Sequence, residues 1–162
     1  MRTILFVCTG NTCRSSMAEA LARDLAAKKG LAEKVTFMSA GTAAWQGSPA
    51  ADNAVRALRE IDIDLSKHQA KPVNAELLQK ADLILAMTRD HKHQLAQFYP
   101  EVADKLFTLH EYAAGDENGE LDVADPFGQS LEVYKECAAE IQAAVDKALD
   151  KFMQDDDLKK LE

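Results

Sequence analysis

Positive charge is in short supply in this chain. Lys and Arg total 19 against 27 Asp and Glu, a net charge of -8. Nucleic acid and anionic membrane surfaces are therefore poor partners. Any anionic substrate has to be captured by a local site working against the global field. Long apolar runs are also missing: no stretch approaches the ~20 residues a bilayer span requires, and the few apolar residues before Cys8 are too short for a secretory signal. Cysteine is sparse and odd in number, 3 in all, which does not read as a secreted disulfide framework. The expectation is a cytoplasmic protein whose thiols stay reduced. Cys8 and Cys13 do not form a Cys-x-x-Cys pair and no second pair exists, so no zinc site is expected. Gly10 alone makes no dinucleotide fingerprint, and the Gly-Lys-Ser/Thr of a nucleotide P-loop is absent. No metal and no cofactor is implied. There is no internal repeat and no linker.

What remains is an ordinary globular composition, 47% hydrophobic and 28% charged, which suits one domain with a real core. A single domain is expected over 1–153, followed by a charged, flexible tail over 154–162. Arg2 to Cys8 reads as a strand apolar on both faces, the signature of a central parallel strand. A helix follows from Ser15 or Ser16, with Met17, Leu21 and Leu25 on one stripe and Gly30 just past its end. Val35 to Met38 is a second strand. Ser48-Pro49 reads as the N-cap and first residue of a helix, and Asn74 starts a short one ending near Ala81. Leu83 to Met87 and Leu106 to Leu109 are further strands, with a Thr88-capped helix between them that Tyr99-Pro100 terminates. Residues 110–129 read as a loop of about twenty residues, and Ser130 opens a long amphipathic helix. Four apolar strands alternating with helices imply an α/β fold: a three-layer sandwich with a four-stranded parallel sheet, flavodoxin-like or Rossmann-like. Ligands on such sheets bind at the carboxyl ends of the strands, where Cys8 lies.

The chemistry concentrates in Cys8-Thr9-Gly10-Asn11-Thr12-Cys13-Arg14-Ser15. A strand, a short polar loop and a helix N-terminus arrive in that order. Successive backbone N–H groups and the positive end of a helix dipole form an anion site. The same field favours a thiolate at Cys8 over a thiol. A sulfur nucleophile beside a phosphate-sized nest, closed by the Arg14 guanidinium, points to phosphoryl transfer through cysteine.

The Cys-x5-Arg-Ser loop after an N-terminal strand resembles the low-molecular-weight protein-tyrosine-phosphatase family. The likeness continues through Met17-Ala18-Glu19, Ser39-Ala40-Gly41, Leu65-Ser66-Lys67-His68 and Asp125-Pro126. It implies that Cys8 is the nucleophile and that Arg14 and the loop N–H groups cradle the phosphate. Asp125 would serve as general acid and then general base. Taken alone, Asp125 would read as one more solvated acid among Asp116, Glu117, Glu120 and Asp122. The resemblance further implies that Asn11 and Ser39 hold the loop's shape, that Ser15 hydrogen-bonds the thiolate, and that His68 joins that network. It also implies a reversible disulfide between Cys8 and Cys13. Ser16 departs from the family's usual proline but leaves every catalytic group in place. His91 and His93 read as solvated side chains on a polar helix start, and Cys137 as core on the last helix.

Thr12 carries the substrate question. Tyrosine-specific members usually have a larger aliphatic residue there, and threonine resembles the protein arginine phosphatase branch. A hydroxyl on the pocket wall gives a planar guanidinium a partner, whereas an isoleucine would leave it unpaired at a cost of about 1–3 kcal/mol. Asp125-Pro126-Phe127-Gly128 also lacks the second aromatic of many tyrosine-specific members. Trp45 stands where those members place an aromatic wall, yet its face suits a guanidinium as well as a phenol. Phosphotyrosine therefore stays open as the alternative. An arsenate reductase is more remote, because no further cysteine pair occurs near residues 80–95, and a non-catalytic phosphate-binding module would lack Cys8 or Asp125. The implied partners are phosphorylated proteins, with the chain itself a monomer or weak homo-oligomer.

Overall fold

A computed structural model describes residues 1–115 and 121–161. Four parallel strands, β1 (Arg2–Cys8), β2 (Val35–Gly41), β3 (Leu83–Ala86) and β4 (Leu106–Thr108), form one sheet in the order β2-β1-β3-β4. The expected α/β sandwich is the fold found. β1 lies inside the sheet because Ile4 to Val7 are apolar on both faces and each face has a helical layer to meet. Ile4, Phe6 and Cys8 pack with α1 (Arg14–Lys28) and α6 (Leu131–Lys160), while Leu5 and Val7 face Leu78 of α3 (Ala75–Lys80) and Leu95 of α4 (Arg89–Phe98). This alternation is the two-residue period of a strand resolved into two separate cores.

Local signals account for most of the boundaries. Gly30 takes φ 73° just past the end of α1. Asn74 and Thr88 cap α3 and α4 by accepting the N–H groups of Leu77 and His91. Pro100 both ends α4 and opens a 3₁₀ turn over Pro100–Lys105.

Three expectations are corrected. Ser48-Pro49 does not cap a helix: α2 spans Asp52–Arg59 with Ala51 at its N-cap. The segment is drawn sideways instead, since Ala70 N–H donates to the Ser48 carbonyl and Pro49 bridges to Gln69. The long loop is shorter than expected, because Leu109–Ala114 form α5. Thr108 and Glu111 make a reciprocal capping box there, each side chain taking the other's backbone N–H. The last helix runs beyond Met153 to Lys160, where Asp156 meets Arg2 at 2.9 Å. Asp116, Glu117 and Glu120, weighed above as solvated neighbours of Asp125, lie outside the described residues.

Candidate active site

The loop from Cys8 to Ser15 sits at the carboxyl edge of β1, beside the switch in strand order, where sheets of this kind bind ligands. Its backbone is bolted to the end of β2: Thr42 N–H donates to the Cys8 carbonyl and Ala43 N–H to the Thr9 carbonyl, both at 2.9 Å. Gly41 makes that approach feasible, since a Cβ there would overlap the Thr9 carbonyl oxygen and come within 3.0 Å of Asn11 N. On the far side, Ala51 N–H donates to the Thr12 carbonyl at 3.0 Å. The loop is held from both flanks before any side chain is considered.

Asn11 is the pivot. It takes φ 59°, a left-handed conformation uncommon outside glycine. Three bonds hold it there. His68 Nε2 donates to its carbonyl at 2.7 Å, its Oδ1 accepts Lys71 N–H at 3.0 Å, and its Nδ2 donates to Ser15 Oγ at 2.8 Å. Because Ser15 Oγ accepts from Asn11, its own proton is free for Cys8 Sγ, 2.8 Å away. Asn11, Ser15 and His68 thus belong to one hydrogen-bonded network that reaches Cys8. Ser39 departs from expectation, since its hydroxyl donates to Glu19 Oε1 at 3.0 Å and bonds to no loop residue among the described contacts.

Arg14 is buried, with Nη1 donating to the Val123 carbonyl at 2.9 Å and Nη2 lying 3.7 Å from Asp125 Oδ2. The carboxylate therefore stands over the loop although Asp125 lies 117 positions after Cys8 in sequence. Its delivery is built in two steps. Asp122 Oδ1 accepts the first N–H of α4, from Arg89, at 2.8 Å, and Val123 N–H donates to the Met87 carbonyl at the end of β3. Those bonds from Arg89 hold Asp122's carboxyl below the usual carboxylate range. Asp122 is thus an anchor and not one more solvated acid. Pro126 is buried, and Asp125 Oδ1 accepts Phe127 N–H at 3.1 Å, fixing the acid in a tight local turn.

Trp45 and Phe127 are open to solvent, 82% and 71% exposed, on the loops that follow β2 and precede α6. Thr12 is half-buried, with its hydroxyl 3.8 Å from Cys13 Sγ. Cys13 is buried and hydrogen-bonded to Tyr134 at 3.3 Å, and burial pushes its thiol up despite that bond. Cys137 is core as expected, its thiol pushed up to about 12 by burial.

His91 is not the solvated residue that its polar helix start implies. It is 5% exposed, with Nε2 2.8 Å from Thr9 Oγ1 and Nδ1 2.9 Å from Thr88 Oγ1. Burial first, and then the Arg14 charge, lower it to about 4, so the imidazole is neutral at pH 7. The only sequence signal for this was its place three residues after the Thr88 cap, which points it back toward the end of β3. His93 is exposed, as expected.

A thiol, a buried guanidinium and a carboxylate around one backbone nest define a cysteine-dependent phosphatase site. The comparisons agree in class. The family model for low molecular weight phosphotyrosine protein phosphatase matches residues 3–160. The chain belongs to that family. It is 46% identical over 139 residues to a protein-arginine-phosphatase of Bacillus subtilis, covering 86% of this chain and 89% of the relative. It is 36% identical over 146 residues to a probable low molecular weight protein-tyrosine-phosphatase, EpsP, of Ralstonia nicotianae, covering 90% and 92%. Among solved structures, a Cys-to-Ser variant of YwlE arginine phosphatase with a phosphorylated active-site serine superposes with a TM-score of 0.88 at 42% identity, covering 94% of this chain and 97% of that one.

Proposed function

We propose that this phosphatase hydrolyses phosphoarginine on proteins through a phosphocysteine formed on Cys8. The phosphoryl oxygens occupy the N–H nest of Thr9 to Ser15 and the Arg14 fork, which hold phosphorus in line with the sulfur. The Cys8 thiolate attacks phosphorus and the P–N bond breaks. Asp125 gives its proton to the departing guanidine nitrogen. Water then attacks the phosphocysteine, the Asp125 carboxylate takes a proton from it, and the S–P bond breaks to release phosphate and the thiolate. The Ser15 hydroxyl, its oxygen engaged by Asn11, donates to the sulfur as charge returns to it. Donors already in place meet the charge that spreads over the equatorial oxygens.

Thr12 carries the choice of substrate. Its carbonyl is pinned by Ala51 N–H and its side chain stays half-exposed in the loop, so a hydroxyl is presented where an aliphatic residue would leave a guanidinium unpaired. Relatives from Bacillus subtilis and Geobacillus stearothermophilus, at 46% and 40% overall identity, are protein-arginine-phosphatases. Exposed Trp45 favours the second reading, phosphotyrosine, because its open face suits a phenol. The deciding experiment compares turnover of phosphoarginine and phosphotyrosine peptides by the wild type, with Cys8→Ser as the inactive control. A wild type that prefers phosphotyrosine overturns the arginine reading.

We place the enzyme in the cytoplasm because the reaction needs Cys8 reduced. No helix of the described residues is long and apolar enough to cross a membrane.

A further inference from the structure

A cleft of about 670 Å³ opens beside the phosphate loop. Thr9 and Arg14 of the phosphate loop line it, together with Val73 and, from α4, Asp90, Gln94 and Phe98. None of the roles given above to Asp125, Thr12 or Trp45 uses this space, and none of those three lines it. We infer that the cleft is a subsite for a cationic side chain, lysine or arginine, flanking the phosphorylated residue of the substrate protein. This rests on the protein phosphatase reading, but not on which residue carries the phosphoryl group.

Position argues first. The cleft shares Thr9 and Arg14 with the anion nest, so a chain whose phosphorylated residue enters the nest has its neighbours at the cleft mouth. Charge argues second. Arg14 is buried and already committed to the Val123 carbonyl and to the nest. His91, in the wall, is neutral at pH 7 because burial and Arg14 hold it near 4. Asp122 and Asp125 also face His91, but Asp122 is bonded to Arg89 and Asp125 stands over the loop. Asp90 is then the uncommitted charge: it is exposed and has no ion-pair partner among the described residues. Shape argues third. Val73 and Leu95 offer apolar surface for a methylene stem, and Phe98, 72% exposed, offers an open ring face to a cation. The Gln94 amide oxygen is a further acceptor on the same helix face. An acidic flanking residue would meet Asp90, and Arg14, the one Lys or Arg among the residues lining the cleft, is already committed.

The test uses matched phosphopeptides with Lys, Ala or Glu at each position flanking the phosphoresidue, in phosphoarginine and phosphotyrosine versions. Lysine at one flanking position should raise kcat/KM about two- to fivefold over alanine, mostly through KM, with glutamate lowest. Asp90→Asn should level lysine with alanine, and Asp90→Lys should invert the order. Hydrolysis of p-nitrophenyl phosphate, which has no flanking residue, should stay within about twofold in both variants. Glu33→Gln removes the same charge from the opposite edge of the sheet, before β2, and should leave the lysine preference intact. A wild type indifferent to flanking charge, or a preference that survives Asp90→Asn or vanishes equally in Glu33→Gln, overturns the subsite. If only phosphotyrosine peptides are turned over, the arginine reading fails while the flanking preference is still measured on that series.

Discussion

Arg14 Nη1 donates to the Val123 carbonyl at 2.9 Å, tying the cation of the phosphate loop to the segment that carries Asp125. One planar group therefore serves two loops: one edge holds the acid segment and the other is left for phosphate. Arg14→Lys keeps the charge but not the fork. It should lower kcat by about 10²–10³, and it should also shrink the further loss caused by Asp125→Asn, since Asp125 loses its reference position. Steady-state kinetics of the single and double variants checks both, and a variant within tenfold of wild type would remove the double role.

Thr12→Ile should exchange one specificity for the other. Phosphoarginine turnover should fall by about 10–100-fold, the equivalent of a lost hydrogen bond to a charged group. Phosphotyrosine turnover should hold or rise. Peptide assays with both substrates measure the ratio, and an unchanged ratio counts against Thr12 as the selector.

Asp125→Asn should slow the enzyme in proportion to the basicity of the leaving group. The loss should be large for an arginine or tyrosine peptide and small for a good leaving group such as p-nitrophenolate, because only the former needs the proton. A uniform loss across leaving groups would move Asp125 from acid to structural anchor.

His91 makes stability depend on pH. Its folded value is lowered to about 4 from the ordinary 6.5, so between those values the unfolded chain binds more protons than the folded one. The contribution is present in full above about pH 6.5 and is lost as pH falls through about 4, on the order of 3 kcal/mol in all. His91→Gln, neutral throughout, should show a smaller drop in urea midpoint between pH 7 and 4.5 than wild type. Parallel pH curves for the two proteins would show that His91 is not responsible.

Peroxide should inactivate the enzyme and dithiothreitol should restore it. Oxidation of the Cys8 thiolate gives a sulfenic acid, and attack by the Cys13 thiol expels water and forms the disulfide. Burial holds the Cys13 thiol up, so this second step should quicken as pH rises. Cys13→Ala should lose recovery at high peroxide, where over-oxidation of Cys8 is no longer intercepted. Equal recovery of wild type and Cys13→Ala would sink the protective disulfide.

The sheet, its order of elements and the loop chemistry were legible because each rests on a contiguous signal: Ile4 to Val7 apolar on both faces, Thr88 and Asn74 as caps, Cys8 and Arg14 six residues apart. What escaped was non-local. His91 reads as polar on a polar helix, and only the approach of Thr9 from the phosphate loop makes it a buried bridge. Ser48-Pro49 carries a good helix start, but Ala70 and Gln69 compete successfully for its backbone. Ser39 has the expected hydroxyl and the expected position, yet Glu19 on α1 claims it. The need for Gly41 to admit the Thr9 carbonyl follows only from how β2 and the loop meet.

That bolting of the loop to β1 and β2 has a thermodynamic corollary. β1 is an interior strand, paired on both edges, and the Cys8 carbonyl is bonded across to Thr42 as an extension of its ladder. The nest should therefore melt together with the sheet. Amides at the start of the loop should exchange with solvent only when the whole sheet opens, and loss of activity on heating should coincide with loss of ellipticity, making turnover itself a reporter of global folding.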